Sequence, residues 1–563
     1  MELVHRRIAR VITCFAMLLV FLTLQLARIQ LVGVVAGRRL GQEAVRQRTP
    51  GVPIEVVRGD IYDRNLISLT AGGVRQSVVA FPSITSGLKA GVAPAEWAAW
   101  LSGVSAVLGL GVSELDAVLG TPGPPRRLRV NVAPGVAEAV WVANWPGIVA
   151  VTEKIRYGPD SLARHLVGYV LPHAYTNPAD NLGVAGLEGR YDALLKGSGP
   201  ELLVACVNAH QELIAGLGYR VQQGAPRDPG HSLILTLDAS IQRMVEEVLD
   251  SRGINRGAAV VVNPYTGEIL AMASRPNYDQ NQPHLAFETP GALINVAVSP
   301  YQAGSVFKLV VAAAAIEEGL VRLDEKFSCS GEILVVSRVF ACSHQSRGGH
   351  GTISFQDAMA YSCNVAFIQV AQRLGARKLV EYASRFGLGT RTGVEIEREA
   401  AGRLPGDLWM GPEALANLAL GQGVLEVTPL QMAMVVSALV NDGVMPAPWL
   451  VREVRDARGF TLEEHRAPAA TRVVSAETAR QLRLAMFAVT TYGTGQSAQI
   501  TYRSAGKTGS AETRPRLPTH AWFAGFAPFY VPRYVMVVFA EQAGAGGVVA
   551  APVFRAVMER LLP

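Results

Sequence analysis

Three observations predict an α+β chain with an N-terminal transmembrane helix. Val11 to Ala27 runs without a charge, preceded by Arg6, Arg7 and Arg10 and followed by Arg28. VQQGAPRDPGHS, residues 221–232, interrupts all periodicity with two prolines and two glycines and reads as a domain boundary. Beyond it, strand patterns lie at both ends of the C-terminal stretch and helical patterns lie between them. That order calls for one central antiparallel sheet assembled from N- and C-terminal pieces, with helices packed on its faces.

The charge-free run is at the lower end of what spans a bilayer, and flanking arginines snorkel to lengthen it. No small-x-small cleavage site follows; Leu26, Ala27 and Arg28 continue into IQLVGVVAG, which favours an uncleaved anchor over a signal peptide. The expected division is a tail at 1–10, an anchor at 11–30 in contact with membrane lipid, a module at 31–228 and a domain at 229–563. Arginines before the span put the tail in the cytoplasm and everything after it on the outer side, by the positive-inside rule.

Within the module, GVPIEVVRGDIYDRNLISLT (51–70) alternates like strand and turn, EWAAWLSGVSAVLGL is helical and TPGPPRR (121–127) is a turn cluster. The domain opens with HSLILTLDASIQRMVEEVLD, a strand and then a helix begun by Asp238. GAAVVVNPYTGEILAMAS follows as two apolar runs joined by an Asn-Pro-Tyr-Thr-Gly turn, hence an antiparallel hairpin. After a long helical region come strands in SAGKTGSAE, HAWFAGFAPF and RYVMVVFAEQ, and a closing helix from about Ala551 to Leu562.

A formal charge of +6 is thin over 563 residues, and no dense basic run is interleaved with aromatics, so nucleic acid is not an expected partner. The five cysteines are Cys14, Cys206, Cys329, Cys342 and Cys363, too few for a disulfide scaffold. Cys329 and Cys342 flank a β-branched run, where a disulfide and two reduced thiols fit equally well. A zinc site adding His344 and His350 lacks paired C-x-x-C spacing, so neither metal nor cofactor is expected. Cys363 has apolar sequence neighbours and reads as a small packing residue.

Chemistry enters at SPYQAGSVFKLVVAAAAIEEG (299–319), where Ser305 and Lys308 stand at the mouth of an apolar helix. Positions i and i+3 share a helix face, and burial lowers the pKa of a lysine, making it a proton acceptor for a serine. Taken alone, Ser-x-x-Lys reads more readily as a helix cap followed by a snorkelling lysine. Two further motifs change its weight: YSCNVAF, with Ser362 and Asn364, and GKTGSAE, with Lys507, Thr508, Gly509 and Ser510 on an expected edge strand.

In the order S-x-x-K, S-x-N, K-T-G, the chain resembles the penicillin-recognising serine transpeptidases. RGDIYDRN (58–65), RHLVGYV (164–170) and GLEGRYDALLKG (186–197) look like landmarks of the pedestal module of class B penicillin-binding proteins. TLDASIQ, GQGVLEVTPLQ (421–431) and AWFAGFAP (521–528) look like their catalytic domain. The chain departs from the family pattern with Ala303 for Pro before Gly-Ser, Leu66 for Gly after DRN, and Ser510 for Thr after KTG.

The resemblance implies an elongated pedestal, a penicillin-binding fold, and D,D-transpeptidation of peptidoglycan stem peptides through an acyl-enzyme that β-lactams also form. It implies Ser305 as nucleophile, Lys308 as its base, Ser362 as proton relay and Asn364 as the group holding the substrate amide and Lys308. Lys507, Thr508 and Ser510 would bind the substrate carboxylate, and bare Gly509 would let substrate lie along the strand. Backbone N–H groups of Ser305 and Ser510 would form the oxyanion hole. A SEDS-family glycan polymerase in the membrane is the implied partner. A D,D-carboxypeptidase, a β-lactamase and an idle β-lactam-binding scaffold remain alternatives; for a β-lactamase the nearest deacylating carboxylate is Glu413, in the wrong local pattern.

Overall fold

The computed structural model describes residues 2–32, 34–35, 38–39, 51–172, 181–208, 210–223, 226–406, 410–513 and 516–562. Residues 40–50 of the expected module lie outside the described residues. Helix α1 (Glu2–Val32) carries an apolar span, Arg7–Ala27, with mean hydropathy 2.0. Phe15, Leu19 and Leu24 stand exposed on it, and its length and composition fit a single-pass membrane anchor.

The chain falls into two compact units. The first comprises residues 1–56, 74–154 and 199–227. In it the helices Pro94–Leu108, Val112–Leu119 and Pro134–Ala143 bury Trp97, Leu101, Leu115 and Val140 against Val78 and Ala80 of the strand Gly73–Ala80.

The second unit comprises residues 57–73, 155–198 and 228–563. The boundary expected at 228/229 lies one residue from the break at 227/228, and two earlier segments, 57–73 and 155–198, also fold with the C-terminal part. Buried polar bonds fasten them there, Ala163 N donating to Glu246 Oε1 at 2.8 Å and Ala239 N to Asp63 Oδ2 at 2.9 Å, while buried charge locks the two segments to each other. Arg58 donates to Glu188 Oε2 at 2.9 Å and to Asp192 Oδ1 at 2.7 Å. Arg156 pairs with the same Glu188, and Tyr157 Oη donates to it at 3.0 Å. The Arg58 and Glu188 side chains are fully buried, so the two segments cannot part from each other without stranding a charge. Ile61–Tyr62 also pairs in parallel with Ser232–Leu235, which belongs to a small sheet with Val451–Arg455.

The large sheet has five antiparallel strands: β1 (Gly257–Val262), β2 (Ile269–Arg275), β3 (Ala505–Ala511), β4 (His520–Ala527) and β5 (Tyr534–Ala540), in the order β2-β1-β5-β4-β3. As the sequence predicts, its strands come from both ends of the domain, and the K-T-G strand β3 is an edge. The principal helices are α2 (Ala239–Ser251), α3 (Lys308–Glu317), α4 (Phe355–Ala360), α5 (Asn364–Leu374), α6 (Pro429–Val440), α7 (Ala476–Thr491) and α8 (Ala550–Leu561). Asp238 caps α2, accepting from Ser240 N and Ile241 N.

Alternation along β1 sorts the two faces. Ala259 and Val261 pack with Val245, Leu249, Phe554 and Val557 of α2 and α8. Ala258, Val260 and Val262 join the core of α3, α6 and α7, with Val310, Val435 and Leu482. Helices thus cover both faces, and α3 lies in the larger core.

Candidate active site

AGSVFK folds as a 3-10 turn, Gly304–Phe307, that passes into α3 at Lys308. Residues i and i+3 eclipse in a 3-10 turn, so Ser305 and Lys308 share a face although Ser305 precedes the α-helix. The turn is clamped from three sides. Gly304, at φ 55°, admits β3 so closely that a Cβ there would lie 3.0 Å from Ala511. Gly304 N donates to Gly421 O at 2.9 Å, and Trp522 Nε1 donates to Gln302 O at 3.0 Å. A Cβ on Gly509 would stand 3.0 Å from Trp522 Cβ and 3.1 Å from Val306 Cγ1. The bare Gly509 therefore makes room for the serine turn.

Lys308 begins a helix buried all round through Ile316. Its Nζ donates to Ser362 O at 2.8 Å, Asn364 Oδ1 at 2.8 Å and Ser362 Oγ at 3.2 Å. Lys507 Nζ arrives from β3 and donates to the same Ser362 Oγ at 2.9 Å and to Thr508 O at 2.9 Å. These partners are neutral oxygens. Burial lowers Lys308 to about 8, against an opposing pull from Cys363 and Cys342. Lys507 falls well below the ordinary lysine range through burial and then repulsion by Lys308.

Ser362 joins α4 to α5 at φ 56°, a left-handed conformation uncommon outside glycine. That geometry turns both its carbonyl and its hydroxyl toward one amine. Asn364 Nδ2 donates to Ala341 O at 2.8 Å, which orients its Oδ1 toward Lys308. Thr508 Oγ1 lies 2.6 Å from Thr494 Oγ1, and the exposed Ser510 accepts from Gly546 N at 3.3 Å. The fold thus brings the three motifs together around Ser362.

The profile of the penicillin binding protein transpeptidase domain matches residues 257–559, more than half of the chain. Stage V sporulation protein D of Bacillus subtilis is 30% identical over 571 residues, covering 97% of this chain and 84% of that protein. The chain belongs to the penicillin-binding protein transpeptidase family. PbpB of Mycobacterium tuberculosis is 34% identical over 452 residues, 75% of this penicillin-binding protein and 64% of that one. Among solved structures, penicillin binding protein 3 of Mycobacterium tuberculosis with aztreonam superposes with TM-score 0.63 at 26% identity, covering 92% of this chain and 96% of that one. The D,D-transpeptidase domain of a peptidoglycan glycosyltransferase from Eggerthella lenta superposes with TM-score 0.61 at 29% identity, covering 73% and 93%. The relationship is with the class B penicillin-binding proteins.

Sequence reasoning missed Thr494, Gly421 and Trp522 as parts of this candidate site. Thr494 sits in TYGTG, a glycine-flanked turn whose N–H is held by Ala360 O at 3.0 Å. Gly421, at φ 71°, would drive a Cβ to 2.0 Å from Gly304 O, a role the GQG spelling hints at without naming its partner. Leu66 takes φ 64°, which explains the glycine that the family pattern has there. Glu413 accepts from Ser337 N at 3.0 Å and Ser337 Oγ at 2.7 Å. It is committed to a hairpin turn, as befits a penicillin-binding protein rather than a β-lactamase.

Cys329 and Cys342 are free thiols in this structure, one of the two readings open in the sequence. Cys363 is fully buried in the larger core, as its apolar neighbours imply, and its Sγ lies 3.9 Å from Cys342 Sγ. His350 Nδ1 lies 3.5 Å from Cys329 Sγ and 3.4 Å from Cys342 Sγ. His344 instead packs against His350 with the rings tilted at 36° and 4.1 Å between centroids. The Cys363 hydrogen bond lowers the Cys342 thiol, and the same bond raises that of Cys363.

Proposed function

We propose that Ser305 is the nucleophile of a serine D,D-transpeptidase that cross-links peptidoglycan, and that β-lactams acylate the same hydroxyl. The observation carrying this reading is Ser362 Oγ held between Lys308 Nζ and Lys507 Nζ, at 3.2 Å and 2.9 Å. Neutral Lys308 takes the Ser305 proton as Oγ bonds the carbonyl carbon between two terminal D-alanines. The oxyanion faces the N–H groups of Ser305 and Ser510; one such donor is worth about 3 kcal/mol. As the C–N bond breaks, the proton passes through Ser362 to the departing D-alanine. An amine of a second stem peptide then attacks the acyl-enzyme, and the steps reverse. Lys507, Thr508 and Ser510 attract the substrate carboxylate, and Asn364 holds both Lys308 and the substrate amide.

Members of this family act on peptidoglycan and bind β-lactams. Arg6, Arg7 and Arg10 ahead of α1 support a cytoplasmic N-terminus and an extracytoplasmic catalytic domain. Class B membership supports a SEDS-family polymerase as membrane partner, and α1 supplies the lipid contact. Fluorescent penicillin tests the central claim: wild type takes a covalent label and Ser305→Ala takes none. Label surviving in that variant removes Ser305 from its role.

A further inference from the structure

Among the described residues, outside the transpeptidation machinery, Cys329, Cys342, His350 and Cys363 gather in one place. One donor atom from each lies within 4.8 Å of every other. They come from four places: the end of the strand Lys326–Cys329, the residue after the strand Arg338–Ala341, the residue before Gly351–Ser354, and the residue before α5. Paired C-x-x-C spacing is absent because each ligand arrives on its own segment, so no local sequence pattern marks the set.

The distances discriminate between chemistries. A disulfide holds its sulfurs about 2.05 Å apart, whereas here the three thiols surround a space and none is bonded. A tetrahedral zinc with bonds of about 2.3 Å to sulfur and about 2.05 Å to nitrogen has S–S edges of about 3.8 Å and S–N edges of about 3.6 Å. The Cys342–Cys363 edge is 3.9 Å, and the His350 edges to Cys329 and Cys342 are 3.5 Å and 3.4 Å. The three cysteines are buried. His350 Nε2 is buried without a partner, so among polar contacts only Nδ1, aimed at the sulfurs, orients the ring.

We propose that Cys329, Cys342, His350 and Cys363 form a closed, structural zinc site that braces the S-x-N turn. Three thiolates and a neutral imidazole are the soft, tetrahedral donor set that selects zinc, and four protein ligands leave no open coordination position. Loading releases one proton for each thiol that enters as thiolate and changes no oxidation state. Cys363 stands between Ser362 and Asn364, both hydrogen-bonded to Lys308, while Asn364 Nδ2 bonds the carbonyl of Ala341 beside Cys342. A metal tying Cys342 to Cys363 therefore fixes both sides of that bond, and with it the strained Ser362.

The test uses the full chain, purified in detergent under reducing conditions without added metal. Elemental analysis is expected to find about one zinc per chain. Cobalt(II) exchanged into the protein should give thiolate-to-metal charge-transfer bands and the intense d–d spectrum of a tetrahedral centre. X-ray absorption of the zinc form should show three sulfurs and one nitrogen at about 2.3 Å and about 2.0 Å. Cys329→Ser and His350→Ala should each weaken zinc binding by at least about 100-fold. Should either variant fail to fold, the wild-type spectra still decide. The proposal falls if wild type neither retains zinc nor binds it when zinc salt is added, if the metal shows only oxygen and nitrogen neighbours, or if the variants keep zinc undiminished. A Cys329–Cys342 disulfide in reductant-treated protein would overturn it too. None of these readouts depends on transpeptidation.

Discussion

At the scale of single residues, Ser362 is where the two lysines meet, and their protonation decides what each can do. With Lys308 lowered to about 8 by burial, penicillin acylation should rise with pH and level off above a midpoint near that value. A profile flat across it would mean that Lys308 is not the base. The same shift acts on stability. A lysine whose folded value lies below its ordinary 10.5 carries its full burial penalty below about 8. Because the unfolded chain then binds more protons, stability rises as pH climbs between the two values. Lys308→Met keeps the apolar stem and removes the amine, and should slow acylation by about 100- to 10,000-fold, the usual worth of a general base. Stopped-flow acylation measures this directly; a loss below about tenfold would contradict the assignment. The sequence named all of these residues, since hydroxyl and amine at fixed spacings are visible in the letters. It gave no sign that Ser362 takes φ 56° to reach both amines.

At the scale of elements, the serine turn and β3 approach each other through glycine. Gly509→Ala would put a Cβ 3.0 Å from Trp522 and 3.1 Å from Val306, tighter than ordinary contact. The turn must yield by a few tenths of an ångström, carrying Ser305 with it. Acylation should fall by about 10- to 100-fold, since a displacement near 1 Å costs about 100-fold, while the melting temperature changes little. Unchanged acylation would show that the turn relaxes without moving Ser305. Leu66 offers the opposite case. Glycine there relieves about 1–2 kcal/mol of left-handed strain against about 0.5–1 kcal/mol of added chain entropy. Leu66→Gly should therefore raise stability slightly in denaturant titration. Strands and helices were legible because their periods of 2 and 3.6 are written locally. Which glycine faces which backbone was not, because close approach joins Gly304 to Gly421 and Gly509 to Val306 across the fold.

At the scale of the whole molecule, Glu188 binds together segments that precede the boundary legible in the sequence. Glu188→Ala would leave Arg58 and Arg156 as buried cations without their shared carboxylate, a change that costs about 3–5 kcal/mol. Thermal unfolding should show a large loss of stability, with penicillin acylation of the folded protein retained. A variant as stable as wild type would show that the network does not tie those segments in. RGDIYDRN and GLEGRYDALLKG were recognisable as family landmarks, yet nothing in either string says that Arg58 of one pairs with Glu188 and Asp192 of the other.

The sequence by itself determined the apolar N-terminal helix, the mixed architecture and the three motifs, because hydropathy, periodicity and motif order are properties of neighbours along the chain. Only the tertiary structure decided that 57–73 and 155–198 fold with the C-terminal unit, that Gly509 serves the turn, and that Cys329, Cys342, His350 and Cys363 share one space. The physical reason is the same in each case. Buried charge, backbone proximity and convergent ligands depend on distances between residues far apart in sequence, and those distances exist only once the chain has closed on itself.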